Sequence, residues 1–258
     1  MRLGLGVQIA LASVLTVAGL LTIRSLLNLV GADVGFDSDR LLTVRVDVPS
    51  ELCAVEEISR TADEILAEIQ TIPVVEQAAL WAPHVPAQDT WHTSVAVYSR
   101  AYLQELSDMP LVRIHQVSAG AATLLGLEFK EGRDFSPGDH ESGRRVALVS
   151  ESAAREWWGA EPDVGRRIKR WNHDEWSTVT GVVADAPLAG RQGEGSDFTK
   201  DVFFLHDQDP QPYLVFFMRM EDAAPGGVIA TEAAIRCAAP DLPVCAVRFI
   251  KDILNDQE

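Results

Sequence analysis

The stretch "LLTVRVDVP" at residues 41–49 leads into "EEISRTADEILAEIQTI" at 56–72 and then into "VVEQAALWA" at 74–82. The first segment alternates apolar and polar residues and is rich in valine, which is typical of a strand. The second segment predicts an amphipathic helix that ends at Pro73, with one apolar stripe formed by Ile58, Ala62, Ile65, Leu66 and Ile69. The third segment predicts another strand, so the order is strand, helix, strand.

The same order recurs near the other end of the chain. "YLVFFMRM" at 213–220 predicts a strand, "GGVIATEAAIRCAAP" at 226–240 a helix, and "LPVCAVRFI" at 242–250 a strand. Two strand–helix–strand units favour an α+β fold of the split βαβ, ferredoxin-like type. Residues 83–212 between them are too many for a connecting loop, so we expect an inserted subdomain there.

The inserted part is predicted to be mostly β. Its strand candidates are "HTSVAVYS", "VRIHQVS", "RVALVS", "RRIKRW", "WSTVTGVVAD" and "DVFFLH". The expected division is a membrane segment with its flank at 1–29, a sandwich made by 30–83 and 208–258, and the insertion at 84–207. A short helix in "SESAAREWWG" would have Ser150 or Ser152 as its N-cap and Gly159 at its C-terminal cap.

The stretch "AREWWGAEPDVGRRIKRW" at 154–171 mixes tryptophans with basic residues. A helix that ends at Gly159 would pack its tryptophans against the core, and the strand after it would point Ile168 inward. Arg167 and Lys169 would then face water. We favour this packing interpretation, with a binding patch as the alternative.

The apolar run "LGLGVQIALASVLTVAGLLTI" at 3–23 carries no charge. About 20 residues that rise about 1.5 Å each cover the roughly 30 Å hydrocarbon layer, so we predict an uncleaved transmembrane helix. A cleaved signal peptide is the alternative, although such segments are usually shorter. Arg2 and Arg24 flank the run evenly, so charge alone leaves the orientation open.

The net charge of −16, from 22 basic and 38 acidic residues, disfavours nucleic acid or an anionic lipid surface as a partner. An acidic globular part fits the extracytoplasmic side of a membrane. Cys237 and Cys245 flank a proline-containing turn and would form a disulfide in an oxidising compartment, or else be two buried thiols; Cys53 is left over.

Catalytic, cofactor-binding and metal-binding residues are all predicted to be absent, and the chain is not predicted to be an enzyme. Six histidines are scattered in the sequence without a converging ligand pattern: His84, His92, His115, His140, His173 and His206. Ser150 and Ser152 suit helix caps better than nucleophiles, and Asp134 and Asp185 suit turns. No phosphate-binding loop of the GxxxxGK[ST] type occurs.

The phrases "VSAGAATLLGLEFKEGRDFSPGD" (117–139), "RRVALVSESAAREWWGAEPDVGRRIK" (144–169) and "WSTVTGVVADAP" (176–187) together carry a family resemblance. In this order they resemble the MacB-type periplasmic core domain of ABC-transporter permeases in the MacB/FtsX superfamily. The matching positions are Leu125 and Gly126; Gly132, Arg133, Asp134 and Phe135; Val146 to Val149, Ala154 and Trp157; Pro162, Val164, Gly165, Arg166, Arg167 and Ile168; and Gly181, Val182, Val183 and Asp185.

The resemblance implies a porter-type sandwich near the membrane, a distal insertion, and a role in coupling ATP-driven movement to extracytoplasmic work. It implies an inner-membrane, single-pass protein with its main domain in the periplasm. Its partners would be an ABC ATPase subunit and the remaining permease helices on another chain, with a homodimer left open. A fragment, a split permease and an orphan protein all fit the resemblance. Two alternative functions are a stand-alone membrane-tethered sensor or ligand-binding domain and a membrane-anchored hydrolase.

Overall fold

The structure is a computed structural model, and it describes residues 16–19, 40–49, 54–82, 92–98, 109–141, 143–159, 163–186, 200–221 and 225–255. The chain divides into two compact units, Met1–Val34 and Gly35–Glu258. In the first unit, residues 16–19 are helical. The rest of the transmembrane helix predicted within 1–29 lies outside the described residues. None of the helices within the described ranges combines the length and the apolar character needed to cross a bilayer.

The described part of the second unit contains eleven strands and six α-helices. The strands are β1 (Leu41–Asp47), β2 (Val75–Ala82), β3 (His92–Val97), β4 (Leu111–Val117), β5 (Phe129–Gly132), β6 (Val146–Ser150), β7 (Arg167–Arg170), β8 (Ser177–Val183), β9 (Asp201–Leu205), β10 (Tyr213–Met220) and β11 (Val244–Phe249). The helices are α1 (Val55–Gln70), α2 (Ala121–Leu124), α3 (Pro137–Glu141), α4 (Glu151–Trp158), α5 (Pro225–Ala238) and α6 (Ile250–Asn255).

The strands from the two ends of the sequence lie side by side in the order β11–β1–β10–β2, and all of these pairs are antiparallel. Helices α1 and α5 cover one face of these four strands. Alternate residues of β1, such as Leu42 and Val44, contribute to a core that also contains Ile65 and Ile69 of α1 and Ile235 of α5. The apolar stripe predicted for the first helix is therefore buried.

The strands of the middle segment close into a ring. The hydrogen-bonded order is β4–β3–β7–β8–β6–β9, and β9 pairs back with β4. Two of these pairings, β4 with β9 and β6 with β8, are parallel, and β5 pairs with β8 outside the ring. Inward residues from the strands, such as Val95, Ile114, Val149, Ile168 and Val202, fill the interior.

A short ladder joins the ring to the four terminal strands. Trp81 and Ala82 at the end of β2 pair with Val117 and Gln116 of β4. The backbone N–H of Ser118 donates to the Leu80 carbonyl at 3.0 Å, which extends the contact by one residue. The two groups of strands therefore share one continuous hydrogen-bonded path.

The aromatic and basic stretch divides between packing and solvent. Trp157 and Trp158 of α4 are partly buried against the core of the ring, and Ile168 is fully buried, so the packing interpretation is confirmed for these residues. Arg167 and Trp171 are exposed. Lys169 is half-buried, and Arg170 is buried where it pairs with Asp209. The predicted exposure is therefore confirmed for Arg167 and holds only in part for Lys169.

The capping prediction for α4 is confirmed at the C-terminal end of the helix and only in part at the N-terminal end. Gly159 terminates the helix with a positive φ of 69°, and Ser150 occupies the N-cap position. The Ser150 side chain makes no capping hydrogen bond, because its hydroxyl instead accepts the backbone N–H of Asp201 at 3.1 Å. The Asp185 carboxylate accepts the backbone N–H of Ser152 in its place, at 3.0 Å.

Two alternatives were predicted for Cys237, a disulfide with Cys245 or a buried thiol, and the structure agrees with neither. Cys237 is a free thiol, and it is exposed on the last turn of α5. The side chain of Cys245 and all of Cys53 lie outside the described residues.

Gly132 and Gly181 lie directly opposite each other where β5 pairs with β8. Gly132 has a φ of +76°, and a Cβ at this position would lie 2.1 Å from the Thr180 carbonyl oxygen. A Cβ on Gly181 would lie 2.6 Å from the Arg133 carbonyl oxygen. Both glycines of the "GRDF" and "TGVV" phrases are therefore required by the close approach of two backbones.

We predict that Gly132→Ala lowers the free energy of unfolding by at least about 3 kcal/mol, because strained φ and a backbone collision act together. Gly126→Ala is the matched control, since Gly126 has a similar φ of +74° but open space around its Cβ position. The control should cost about 1–2 kcal/mol. Urea denaturation of the full chain measures both. Equal losses of unfolding free energy in the two variants would show that the backbones of β5 and β8 do not approach closely at Gly132.

Candidate functional site

Charged side chains lie on the face of β4 that points away from the interior of the ring. Val112 and Ile114 of this strand point into the ring core, and Arg113 and His115 alternate with them. Arg113 and His115 are nonetheless buried. Because both side chains are shielded from water, the usual assignment of alternating polar residues to a solvent face fails here.

Asp201, the first residue of β9, contacts both side chains. It is the register partner of Arg113 on the neighbouring parallel strand. The Arg113 Nε and Nη2 atoms donate to the two carboxylate oxygens at 2.8 and 2.7 Å, and His115 Nε2 lies 2.8 Å from Oδ1. The Asp201 side chain is only 2% exposed. We name Arg113, His115 and Asp201 the junction cluster.

The electrostatics of the junction cluster favour an ionised carboxylate. Burial raises the pKa of Asp201, but the hydrogen bonds and charges of His115 and Arg113 lower it further, so the net shift of this pKa is downward. His92 of β3 lies opposite Arg113 in the sheet. Burial and the Arg113 charge lower the pKa of His92, which favours its neutral form.

Aromatic rings connect the junction cluster to the terminal strands. The His115 ring stacks on Phe203 at 4.9 Å between centroids and meets the edge of Trp81 at 5.1 Å. Trp81 of β2 also contacts Phe203 at 5.7 Å and Phe217 of β10 at 6.0 Å. A continuous set of contacts therefore runs from the ring through His115 and Trp81 into the strands at the two ends of the chain.

A second polar group gathers around Asp209. Its carboxylate accepts Gln116 Nε2 at 2.7 Å, pairs closely with Arg170, and lies 3.8 Å from His173 Nε2. Burial lowers the pKa of His173. The negative charge of Asp209 raises this pKa by a smaller amount, so the net shift is downward. Gln116 is fully buried, and it adjoins the ladder that joins β2 to β4. The group thus fastens the segment after β9 to the ring.

The "GRDF" phrase forms a third, structural cluster. Arg133 donates two hydrogen bonds of 2.7 Å to Asp139, and Ser136 adds a backbone donor at 2.8 Å. The Arg133 hydrogen bonds lower the pKa of Asp139 to about 2, so the carboxylate stays charged until strongly acidic pH. Asp134 accepts the backbone N–H and the hydroxyl of Thr123 at 2.9 and 2.8 Å, which ties the turn to α2.

The described histidines do not converge on one position. His115 belongs to the junction cluster and His92 lies near it. His173 lies beside Asp209, and His206 is buried where its Nε2 accepts the Gln211 N–H at 3.3 Å. Within the part of the chain that the structure describes, no group of three or more His, Cys, Asp or Glu side chains could hold a metal ion. His84 and the side chain of His140 lie outside that part.

The serines and aspartates named from the sequence have structural contacts. Ser150 Oγ lies 3.2 Å from Ser152 Oγ and accepts the Asp201 N–H. Asp134 and Asp185 both accept backbone N–H groups near the start of short helices. In the contacts given above, the polar clusters join neighbouring elements of the fold.

Sequence reasoning missed the junction cluster. In "VRIHQVS" the alternation of Arg113 and His115 with apolar residues resembled the solvent face of a strand. The available signal was Asp201 at the head of "DVFFLH", because this segment is otherwise continuously apolar and therefore buried on both faces. A carboxylate in such a strand requires a buried partner of opposite charge.

We predict that Asp201→Asn lowers the free energy of unfolding by about 3–5 kcal/mol, because Arg113 would stay buried without a counter-charge. Asp47→Asn is the control, since the Arg45–Asp47 pair is partly exposed, at 43% and 34%. It should cost at most about 1 kcal/mol. Urea denaturation of the full-length variants at neutral pH provides the comparison. Similar losses for the two variants would contradict a tightly desolvated junction cluster.

Comparison with known proteins places these features in a family context. The sequence model of the MacB-like periplasmic core domain matches residues 5–234. No curated protein sequence matches the chain significantly.

Two solved structures are similar to this chain at low sequence identity. The periplasmic region of MacB from Actinobacillus actinomycetemcomitans is similar with a TM-score of 0.54 and 12% identity, over 86% of this chain and 94% of that one. The extracellular domain of the noncanonic ABC-type transporter YknZ from Gram-positive bacteria has a TM-score of 0.49 and 14% identity, over 79% of this chain and 100% of that one. The similarity to the periplasmic region of MacB establishes a mixed α+β fold of the MacB periplasmic type.

Proposed function

Because the chain belongs to the family of MacB-like periplasmic core domains, we propose that it is the extracytoplasmic part of an ABC-transporter permease system that transmits movement and performs no chemistry of its own. The family match over residues 5–234 carries this proposal. Coupling of ATP hydrolysis in the cytoplasm to work outside the membrane is the role that we assign to it.

The contacts of the junction cluster support a mechanical role. A domain that relays movement must resist separation of its parts, and the Asp201 carboxylate joins β9 to β4 through three short hydrogen bonds. The ring contacts of His115 and Trp81 extend this rigid region into the terminal strands. Force applied to those strands would reach the ring through packed and ion-paired side chains.

We further propose that residues 30–83 and 208–258 form a porter-like split βαβ subdomain and that residues 84–207 form the inserted subdomain. Antiparallel pairing in the order β11–β1–β10–β2, with α1 and α5 on one face, supports the split βαβ assignment. The short ladder between β2 and β4 would connect the two subdomains.

We propose a bacterial inner-membrane location, with the apolar run at residues 3–23 as a single-pass anchor and the main domain in the periplasm. The partners would be an ABC ATPase subunit and the remaining permease helices, carried by another chain.

Cys237 provides a direct test, because its thiol is free and exposed. In a Cys53→Ala, Cys245→Ala background it is the sole cysteine of the chain. We predict that a membrane-impermeant maleimide labels it in intact cells as fully as after lysis. The additional Cys237→Ala variant is the unlabelled control. Labelling only after lysis would overturn the extracytoplasmic location.

The same single-cysteine chain tests the coupling separately. With an environment-sensitive fluorophore on Cys237, we expect Mg-ATP added to native membranes to shift the emission and vanadate to trap the shifted state. An ATP-independent emission from a correctly located domain would contradict the coupling role without affecting the assigned location.

A further inference from the structure

The outer surface of the ring carries a compact group of aromatic and cationic side chains on β3, β7 and the segments beside them. We name it the cation–aromatic face, and its members are Tyr98, Arg167, Lys169, Trp171 and Trp176. Alternate residues of β7 point outward here, whereas Ile168 between them points into the ring core.

Aromatic rings hold the two cations of this face in place. The Arg167 guanidinium carbon lies 3.9 Å from the centroid of the Tyr98 ring and 6.0 Å from that of Trp176. Lys169 Nζ lies 5.3 Å from the Trp176 centroid, and Tyr98 and Trp176 meet edge to face at 5.3 Å. Stacking of this kind fixes a guanidinium group while its N–H donors stay available at the edges.

The charge environment of these cations is unusual for this chain. Elsewhere on the described surface, basic side chains such as Arg60, Arg155 and Lys200 pair with carboxylates, as expected in a chain with 38 acidic residues. Among the described residues, Arg167 and Lys169 contact aromatic rings but no carboxylate. Within the described ranges, these two neighbouring cations therefore have no carboxylate partner, on a chain of net charge −16.

Two of the three aromatic members of the face are exposed to a partner, and Trp176 is half-buried. Trp171 is 51% exposed and Tyr98 is 44% exposed. Tryptophan, tyrosine and arginine are enriched among the residues that contribute most of the binding energy in protein–protein interfaces. The face thus combines apolar contact area with donors that match a carboxylate, since a planar guanidinium can bind one through two parallel hydrogen bonds.

We propose that the cation–aromatic face is a docking site for an acidic segment of another polypeptide. Charge complementarity selects an anionic partner. A polypeptide fits better than an extended polyanion or a membrane, because the strongly negative chain repels a broad anionic surface while two local cations suffice for a few carboxylates. The site does not depend on ATP-driven coupling, so it goes beyond the function proposed above.

Fluorescence anisotropy with a labelled oligo-glutamate peptide tests this proposal on the full chain in neutral detergent. The wild-type chain should bind oligo-glutamate more tightly than an uncharged oligo-glutamine peptide, and added salt should weaken the binding. The double variant Arg167→Gln, Lys169→Gln should bind oligo-glutamate about tenfold more weakly, as expected when the central residues of an interface are removed.

Matched variants separate this site from general electrostatics and from misfolding. Arg155→Gln, Arg236→Gln removes the same charge from two exposed helix surfaces and should leave the affinity unchanged. Lys169→Arg keeps the charge and should keep the affinity, whereas Trp171→Ala should reduce it. Equal losses in both double variants, or no preference for oligo-glutamate over oligo-glutamine, would overturn the proposal. Binding to anionic-lipid vesicles that requires Arg167 and Lys169, without binding to oligo-glutamate, would overturn the choice of partner.

Discussion

The buried carboxylate of Asp201 is the interaction on which the arrangement of the described strands depends. An ion removed from water costs several kcal/mol unless partners of good geometry compensate it. Arg113 and His115 provide that compensation from the neighbouring strand, with contacts of 2.7–2.8 Å. A shift of β9 by one residue along β4 would remove the carboxylate from both partners, so the register of this parallel pair is fixed by charge.

That register determines how the ring meets the terminal strands. With Asp201 opposite Arg113, Phe203 lies opposite His115, and their stacked rings contact Trp81 of β2. The short ladder between β2 and β4 is then held by side chains on the same side of the sheet. The relay of movement that we propose for this chain would use this connection, because packed interiors transmit strain instead of absorbing it.

The sequence predicted the elements at both ends because local patterns specify them. Period-2 alternation marks β1, and an apolar stripe that stops before Pro73 marks α1. Closure of the ring could not be predicted from the sequence. The alternation of apolar and polar residues shows which face of the sheet each residue lies on, but it does not show which strands are neighbours. The strand β5 was missed because "FKEG" looks like a turn, and it exists because Gly132 allows its backbone to meet Gly181. Arg113 and His115 were missed because a buried ion pair and a solvated strand face have the same pattern.

Native-state hydrogen exchange of the full chain at increasing urea tests the central claim most directly, namely that the junction cluster makes the ring and the terminal strands one cooperative unit. We expect the amides of β2, β4 and β9 to become exchangeable in a single opening event, with the same free energy and the same urea dependence. Exchange of β4 and β9 at a distinctly lower free energy, with β1 and β10 still protected, would contradict it.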